Sequence, residues 1–280
     1  MTELFADVNG IKICYEIHGE GKPVILIHGF GSTKDEWKLA QVGPLSERFK
    51  VIIMDNRGAG KSDHPDEPYL MEMFANDINS LMEHLKVEKA HIIGLSLGGM
   101  IAQTFVINYN EKVDKLILIN TTPNFPSDPS GIEMYKQSKI AKYEAILKDR
   151  EQAYWDYGVG GFSRKFRKEL KVDPKKKIHG LFSTEDLIMD FLNAPSTPQD
   201  SKNQTNALLN FNVVEKLPTI KNKTLIITAS HDKTLPKSKS ELIHEKIPNS
   251  KLVILEGVGH GSCLEKAPEV NKLILDFLEN

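Results

Sequence analysis

Gly94-Leu95-Ser96-Leu97-Gly98 places a serine between two glycines, where a short apolar run, His91–Leu95, meets a helical stretch, Leu97–Tyr109. A serine hydroxyl at a strand-to-helix turn can serve as a nucleophile when a base takes its proton. The glycines supply room, because the turn is sharp and a Cβ at either flank would crowd the neighbouring strand or helix. Gly99 extends the run of small residues. Such a turn lifts the Ser96 Oγ above the carboxyl end of the sheet and aims the Leu97 N–H at an oxyanion forming there.

The sequence offers nine histidines as the base. His260 is the best placed, in the loop Gly257-Val258-Gly259-His260-Gly261 after the apolar run Lys251–Leu255. The carboxylate that orients the base is assigned to Asp232, which follows the run Thr224–Thr228. Ser96, Asp232 and His260 all fall just past strand ends, where open α/β sheets place their sites, and they follow one another in the order Ser, Asp, His. Glu256 also ends a strand, but it lies only four residues before His260, and Asp232 is preferred to it. His231 is read as a neighbour of the acid that faces away from it. His18, His28, His64, His84, His91, His179 and His244 are read as structural or surface histidines, with His28 orienting its own loop. A second oxyanion donor is expected from His28-Gly29-Phe30-Gly31, after the run Pro23–Ile27, and is assigned to the Phe30 N–H; the Phe30 ring is expected to line the pocket.

Asp55-Asn56-Arg57-Gly58-Ala59-Gly60-Lys61-Ser62 looks superficially like a phosphate loop but lacks the G-x-x-x-x-G-K-[ST] spacing. It reads as a structural turn closed by an Asp/Arg network. His and Cys positions are scattered, so no metal is expected.

These loops need a sheet to hold them. Besides the runs already named, Ile11–Ile17 and Val51–Met54 read as strands. Trp37–Phe49, Met71–Leu85, Lys237–Ile247 and Pro268–Leu278 read as helices; in Met71–Leu85 the apolar residues recur at spacings of three and four, one stripe on one face. Strand and helix alternate up to Val113–Ile119, which implies a mostly parallel sheet covered on both faces. The rhythm breaks between residue 121 and about residue 205. That stretch holds helical patches such as Ile132–Leu147 and Pro/Ser/Asp-rich joints at Thr122–Ser130 and Asn193–Ser201, with no strong buried strand. The expected organisation is a core of residues 1–121 and 206–280 with a helical cap, 122–205, inserted in it.

Composition sets the outer bounds. A chain of 280 residues can bury roughly three quarters of its unfolded surface without staples. The net charge of −2, from 36 basic and 38 acidic residues, gives no long-range attraction to nucleic acid or to an acidic membrane. The locally basic Arg164–Lys177 reads as a solvated face. Cys14 and Cys263 form no disulfide framework, which favours a reducing, cytoplasmic setting. Residues 1–10 carry acidic residues and no long apolar run, so neither a signal peptide nor an anchor is expected there, and no run is long enough for a membrane span.

Together these segments resemble the α/β-hydrolase superfamily, on His28-Gly29-Phe30-Gly31, the D-x-R-G-x-G-x-S form of Asp55–Ser62, Gly94–Gly99, the Asp232 loop and Gly259-His260. The likeness runs from about residue 10 to residue 278. It implies an eight-stranded, mostly parallel sheet, a cap inserted after the sixth strand, and a purely structural Asp55–Ser62 run. Within the superfamily the chain is similar to carboxylesterases and 3-oxoadipate enol-lactonases, which implies a serine hydrolase that cleaves a small-molecule ester or lactone without cofactor or metal. Ser96 disfavours haloalkane dehalogenase chemistry, which uses Asp as nucleophile. Leu95 and Gly261 stand where carbon–carbon bond hydrolases carry Asn and Trp. Perhydrolase chemistry shares the same triad, and a ligand sensor with slow hydrolysis is the rival from another class. Pocket liners are expected mainly from the cap: Trp155, Phe162, Phe182 and Phe191, with Phe125, Tyr154 and Leu192 as further candidates. Acyl group and oligomeric state are not legible.

Overall fold

The computed structural model describes residues 2–125, 129–193, 195–209 and 211–280. Its eight strands form one sheet: β1 (Leu4–Val8), β2 (Ile11–His18), β3 (Pro23–Ile27), β4 (Lys50–Met54), β5 (Ala90–Leu95), β6 (Val113–Ile119), β7 (Lys223–Ala229) and β8 (Ser250–Leu255). The spatial order is β1-β2-β4-β3-β5-β6-β7-β8. β2 runs antiparallel to β1 and β4, and every later pairing is parallel. This is the sheet that the resemblance implies.

The central strands carry continuous apolar runs, such as Val24–Ile27, Val51–Met54 and Leu116–Ile119, because both faces are covered. Ile25 and Ile27 pack to one side with Ile52, Ile92, Leu116 and Ile226. Val24 and Leu26 pack to the other with Val51, Ile53, Ile93 and Ile117. This is the two-residue alternation of a strand repeated across the sheet.

The stretch expected as one helix, Trp37–Phe49, is broken. A 3-10 turn over Lys34–Leu39 is followed by the short α1 (Val42–Ser46). Pro44 has no N–H to continue an upstream helix, but it is tolerated in the first turn of a new one. β1 did not stand out in the sequence because it is an edge strand: Ala6 and Val8 face inward while Leu4 and Phe5 remain exposed. α2 (Met71–His84) and α3 (Leu97–Asn108) cover one face of the sheet, as their apolar faces predict.

Among the described residues between β6 and β7 the chain builds helices and no strand: α4 (Pro129–Lys148), α5 (Arg150–Tyr157), α6 (Arg164–Leu170), α7 (Thr184–Leu192) and α8 (Pro198–Leu208). Residues 126–128 of the expected joint at 122–130, and residue 194 of the joint at 193–201, lie outside the described residues. Tyr154, Phe162, Phe166 and Phe182 form a separate apolar cluster in this segment. α8 runs through residue 205 without a break and is stitched to the sheet domain, with Gln204 donating to the Gly58 carbonyl (2.8 Å) and Asn206 to that of Tyr69 (3.0 Å). α9 (Lys237–Lys246), α10 (Ser262–Glu265) and α11 (Ala267–Glu279) complete the chain. Among the described residues, no helix is long and apolar enough to cross a membrane.

Candidate active site

The carboxyl ends of the parallel strands are laced together by single backbone bonds that carry the sheet's ladder into the loops. The Ser96 amide donates to the Ile119 carbonyl (3.0 Å), Asn120 to Ile227 (2.9 Å) and Ser230 to Leu255 (3.0 Å). The register pairs Ile27 with Gly94, which sets the His28–Gly31 loop beside the serine turn. Four loops distant in sequence are therefore fixed in one row.

Ser96 has φ 56° and ψ −116°, a conformation rarely adopted by a residue with a side chain. Three neighbouring glycines make it reachable. A Cβ on Gly94 would lie 2.3 Å from the Gly98 carbonyl oxygen, one on Gly98 2.1 Å from that of Ile27, and one on Gly99 2.5 Å from the Thr121 side chain. Thr121 in turn donates its hydroxyl to the Ser96 carbonyl (2.8 Å).

The structure brings together the three side chains singled out in the sequence. His260 Nδ1 lies 2.6 Å from Asp232 Oδ2, and His260 Nε2 lies 3.1 Å from Ser96 Oγ. With Nδ1–H held by the carboxylate, Nε2 presents its lone pair to the serine hydroxyl. Asp232 is buried, and its other oxygen accepts the amides of Thr234 (2.8 Å) and Leu235 (2.9 Å), which fixes the carboxylate plane. His231 and Glu256 are exposed, away from this relay.

The Leu97 N–H begins α3, where a helix leaves its first amides without an internal partner. The flanks of the Phe30 N–H are pinned: Gly29 N–H donates to Glu36 (3.2 Å) and Gly31 N–H to Gln204 (3.3 Å). His28 is buried under this loop, donating Nδ1–H to the Gly29 carbonyl (2.9 Å) and accepting the Asn56 amide at Nε2 (3.0 Å). The Asp55–Ser62 turn is structural in a different way from the expected Asp/Arg network. Arg57 pairs with Asp77 of α2 (2.7 Å), whereas Asp55 accepts the amides of Lys34 (2.8 Å) and Lys61 (3.0 Å).

Ser96 and His260 open into a cavity of about 380 Å³ under the inserted helices. Of the expected liners, Phe30 and Phe162 border it. Trp155, Phe182 and Phe191 do not, which corrects that expectation. Phe182 is buried in the cluster between the inserted helices. Trp155 packs edge-on against Tyr154 with the Lys171 ammonium over its ring, and Phe191 also packs edge-on against Tyr154. The aromatic residues of this segment mainly hold its helices to one another.

The walls overlooked in the sequence are Glu36 and Trp37 from the 3-10 turn, and Tyr135 and Lys139 from α4. Burial pushes the Tyr135 hydroxyl pKa up and lowers the Lys139 ammonium to about 8, with the neighbouring charge of Lys142 adding to the latter. Asn120 was overlooked too, although its place directly after β6 was a signal. Its side chain donates to the His260 carbonyl (2.7 Å) and to Ser262 Oγ (2.7 Å), from a backbone with φ 45°. Among the described residues, no group of three or more His, Cys, Asp or Glu is arranged to hold a metal ion.

A family model described as "alpha/beta hydrolase fold" matches residues 22–150, and one described as "TAP-like protein" matches residues 195–280. The chain is 30% identical over 275 residues to the AB hydrolase superfamily protein YisY of Bacillus subtilis, covering 95% of each chain. It is also similar to two solved structures. One is a bromoperoxidase from Bacillus anthracis, with TM-score 0.82, 28% identity and complete coverage of both chains. The other is the enol-lactonase from Burkholderia xenovorans LB400, with TM-score 0.83, 22% identity, and coverage of 99% of this chain and 100% of that one.

Proposed function

Because the chain belongs to the α/β-hydrolase superfamily and is by family a hydrolase, we propose that it cleaves small-molecule carboxylic esters or lactones through Ser96, His260 and Asp232. The observation that carries this reading is the continuous relay from Asp232 Oδ2 through the His260 ring to Ser96 Oγ, with its 2.6 Å and 3.1 Å contacts.

In the first half-reaction His260 Nε2 takes the hydroxyl proton as Oγ attacks the substrate carbonyl. The N–H groups of Phe30 and Leu97 receive the oxyanion, a role worth about 3–4 kcal/mol per donor. His260 then gives its proton to the departing alkoxide, leaving Ser96 acylated. In the second half-reaction His260 takes a proton from water, the hydroxide adds to the acyl carbon, and the proton returns to Ser96 as the acid leaves. Asp232 keeps the imidazole in the productive tautomer and balances its charge while it is protonated. No cofactor is required by these steps. The proposed organisation assigns Ser96, Asp232 and His260 to a core of residues 1–121 and 206–280, and much of the substrate wall to a cap of residues 122–205. The partners on this reading are small molecules, with neither nucleic acid nor membrane involved. A cytoplasmic setting is supported by the two cysteines, Cys14 and Cys263, which are buried free thiols.

A second reading is favoured by the likeness to the bromoperoxidase. Hydrogen peroxide in place of water in the second half-reaction would release a peracid from the same acyl-enzyme. Turnover of p-nitrophenyl butyrate by the wild-type protein and by Ser96→Ala tests the first reading: activity should fall by about three or more powers of ten. Near wild-type turnover by a folded Ser96→Ala protein contradicts it. Peracid formation from acetate and hydrogen peroxide tests the second.

A further inference from the structure

We propose that the cavity at Ser96 accepts esters or lactones that carry a carboxylate, and that the Lys139 ammonium recognises it. This rests on the ester-hydrolysis reading and adds a substrate class to it.

Lys139 projects from α4 into the cavity that Ser96 and His260 share. Its Nζ lies 4.6 Å from the centre of the Tyr135 ring and 5.4 Å from that of Phe30. Among the described residues it has no acidic partner within ion-pair distance, unlike the two lysines of the 3-10 turn beside the site. Lys34 pairs with Asp55 at 3.3 Å, and Lys38 with Glu16 at 2.6 Å. An enclosed cation without a counter-ion is costly, and the chain has met only part of that cost, with two aromatic faces.

Among the described residues that line the cavity, the one acid is already committed. Glu36 accepts the Gly29 N–H (3.2 Å) on one oxygen and the Ser32 hydroxyl (2.6 Å) on the other. Lys142, one turn further along α4, is directed elsewhere, with its Nζ over Phe191 at 4.3 Å and Asp190 as its nearby acid. Among the described residues lining this cavity, Lys139 is thus the cation left to a ligand. The lowering of its pKa by burial agrees, because an incoming carboxylate would supply the missing charge.

Geometry narrows the ligand further. Lys139 sits over the ring of Phe30, the residue whose N–H is assigned to the oxyanion. A carboxylate held by Lys139 would therefore lie near the scissile carbonyl, separated from it by a short chain. A cavity of about 380 Å³ suits a small acid of this kind. The chemistry points to half-esters or lactones of short dicarboxylic acids.

The test compares mono-p-nitrophenyl glutarate with the same compound methylated on its free carboxylate. In the wild-type protein, kcat/KM should favour the anion by about tenfold or more. Lys139→Met should lower that ratio about tenfold, Lys139→Arg should retain most of it, and Lys142→Met should keep it within about twofold. A wild-type ratio at or below one, or a ratio unchanged by Lys139→Met, overturns the proposal. If the wild-type protein cleaves neither compound, the hydrolytic reading of Ser96 fails. Calorimetry with monomethyl glutarate then decides on Lys139: weaker binding to Lys139→Met supports it, while equal binding or none in the wild type overturns it.

Discussion

The Asn120 side chain donates to the carbonyl oxygen of His260 at 2.7 Å, tying the end of β6 to the loop that carries the proposed base. The same amide group also reaches Ser262 Oγ (2.7 Å), so one side chain fixes both flanks of Gly261. Asn120 achieves this from a left-handed backbone, φ 45°, which Asn tolerates better than most residues.

Asn120 should therefore act as a positioning residue. Asn120→Gly keeps the backbone accessible and removes both hydrogen bonds; Asn120→Ala removes them and adds backbone strain. Both should lower kcat about tenfold with little change in KM, and the alanine variant should be less stable by about a further 1 kcal/mol. Steady-state kinetics and urea denaturation of the pair separate the two effects. Wild-type kcat in the glycine variant would remove the positioning role.

Gly98 is expected to tolerate no side chain. A Cβ there would stand 2.1 Å from the Ile27 carbonyl oxygen, in backbone that cannot move without disturbing β3. Gly98→Ala should destabilise the fold by about 2–4 kcal/mol, whereas Gly43→Ala, with nothing within 4 Å of the new methyl, should lie within about 0.5 kcal/mol of wild type. Denaturant unfolding of both variants checks this.

His91 makes stability depend on pH. Its ring is buried on β5, packed edge-on against Phe49, with neither nitrogen hydrogen-bonded, and burial lowers its pKa from 6.5 to about 4. Between these values the unfolded chain binds a proton that the folded chain does not, so stability should fall as the pH drops from 6.5 to about 4. His91→Leu should remove that component, roughly 1–3 kcal/mol across the window. Unfolding free energies of both proteins at pH 7.5 and pH 4.5 test it; parallel pH profiles would contradict it.

The legible parts of this molecule are those fixed by local pattern. Pro23–Ile27 and Val113–Ile119 were bounded to the residue, because buried parallel strands are continuous apolar runs closed by turn residues. Ser96, Asp232 and His260 stood out because each lies in the turn or loop that follows such a run. Lys139 did not, since nothing in the α4 sequence distinguishes it from Lys136 or Lys142; which lysine faces the cavity depends on how the helix docks. The same limit explains Trp155, Phe182 and Phe191. Their aromatic character announced burial, but whether they lined the cavity or the helix contacts was decided by packing between elements.

A fluorophosphonate that forms a stable adduct with an activated serine tests the proposed nucleophile most directly, with the labelled peptide located by mass spectrometry. One adduct per chain on Ser96 is expected, absent from Ser96→Ala and strongly slowed in His260→Ala. A folded wild-type protein that stays unlabelled, or carries its adduct on another residue, would contradict the assignment of Ser96.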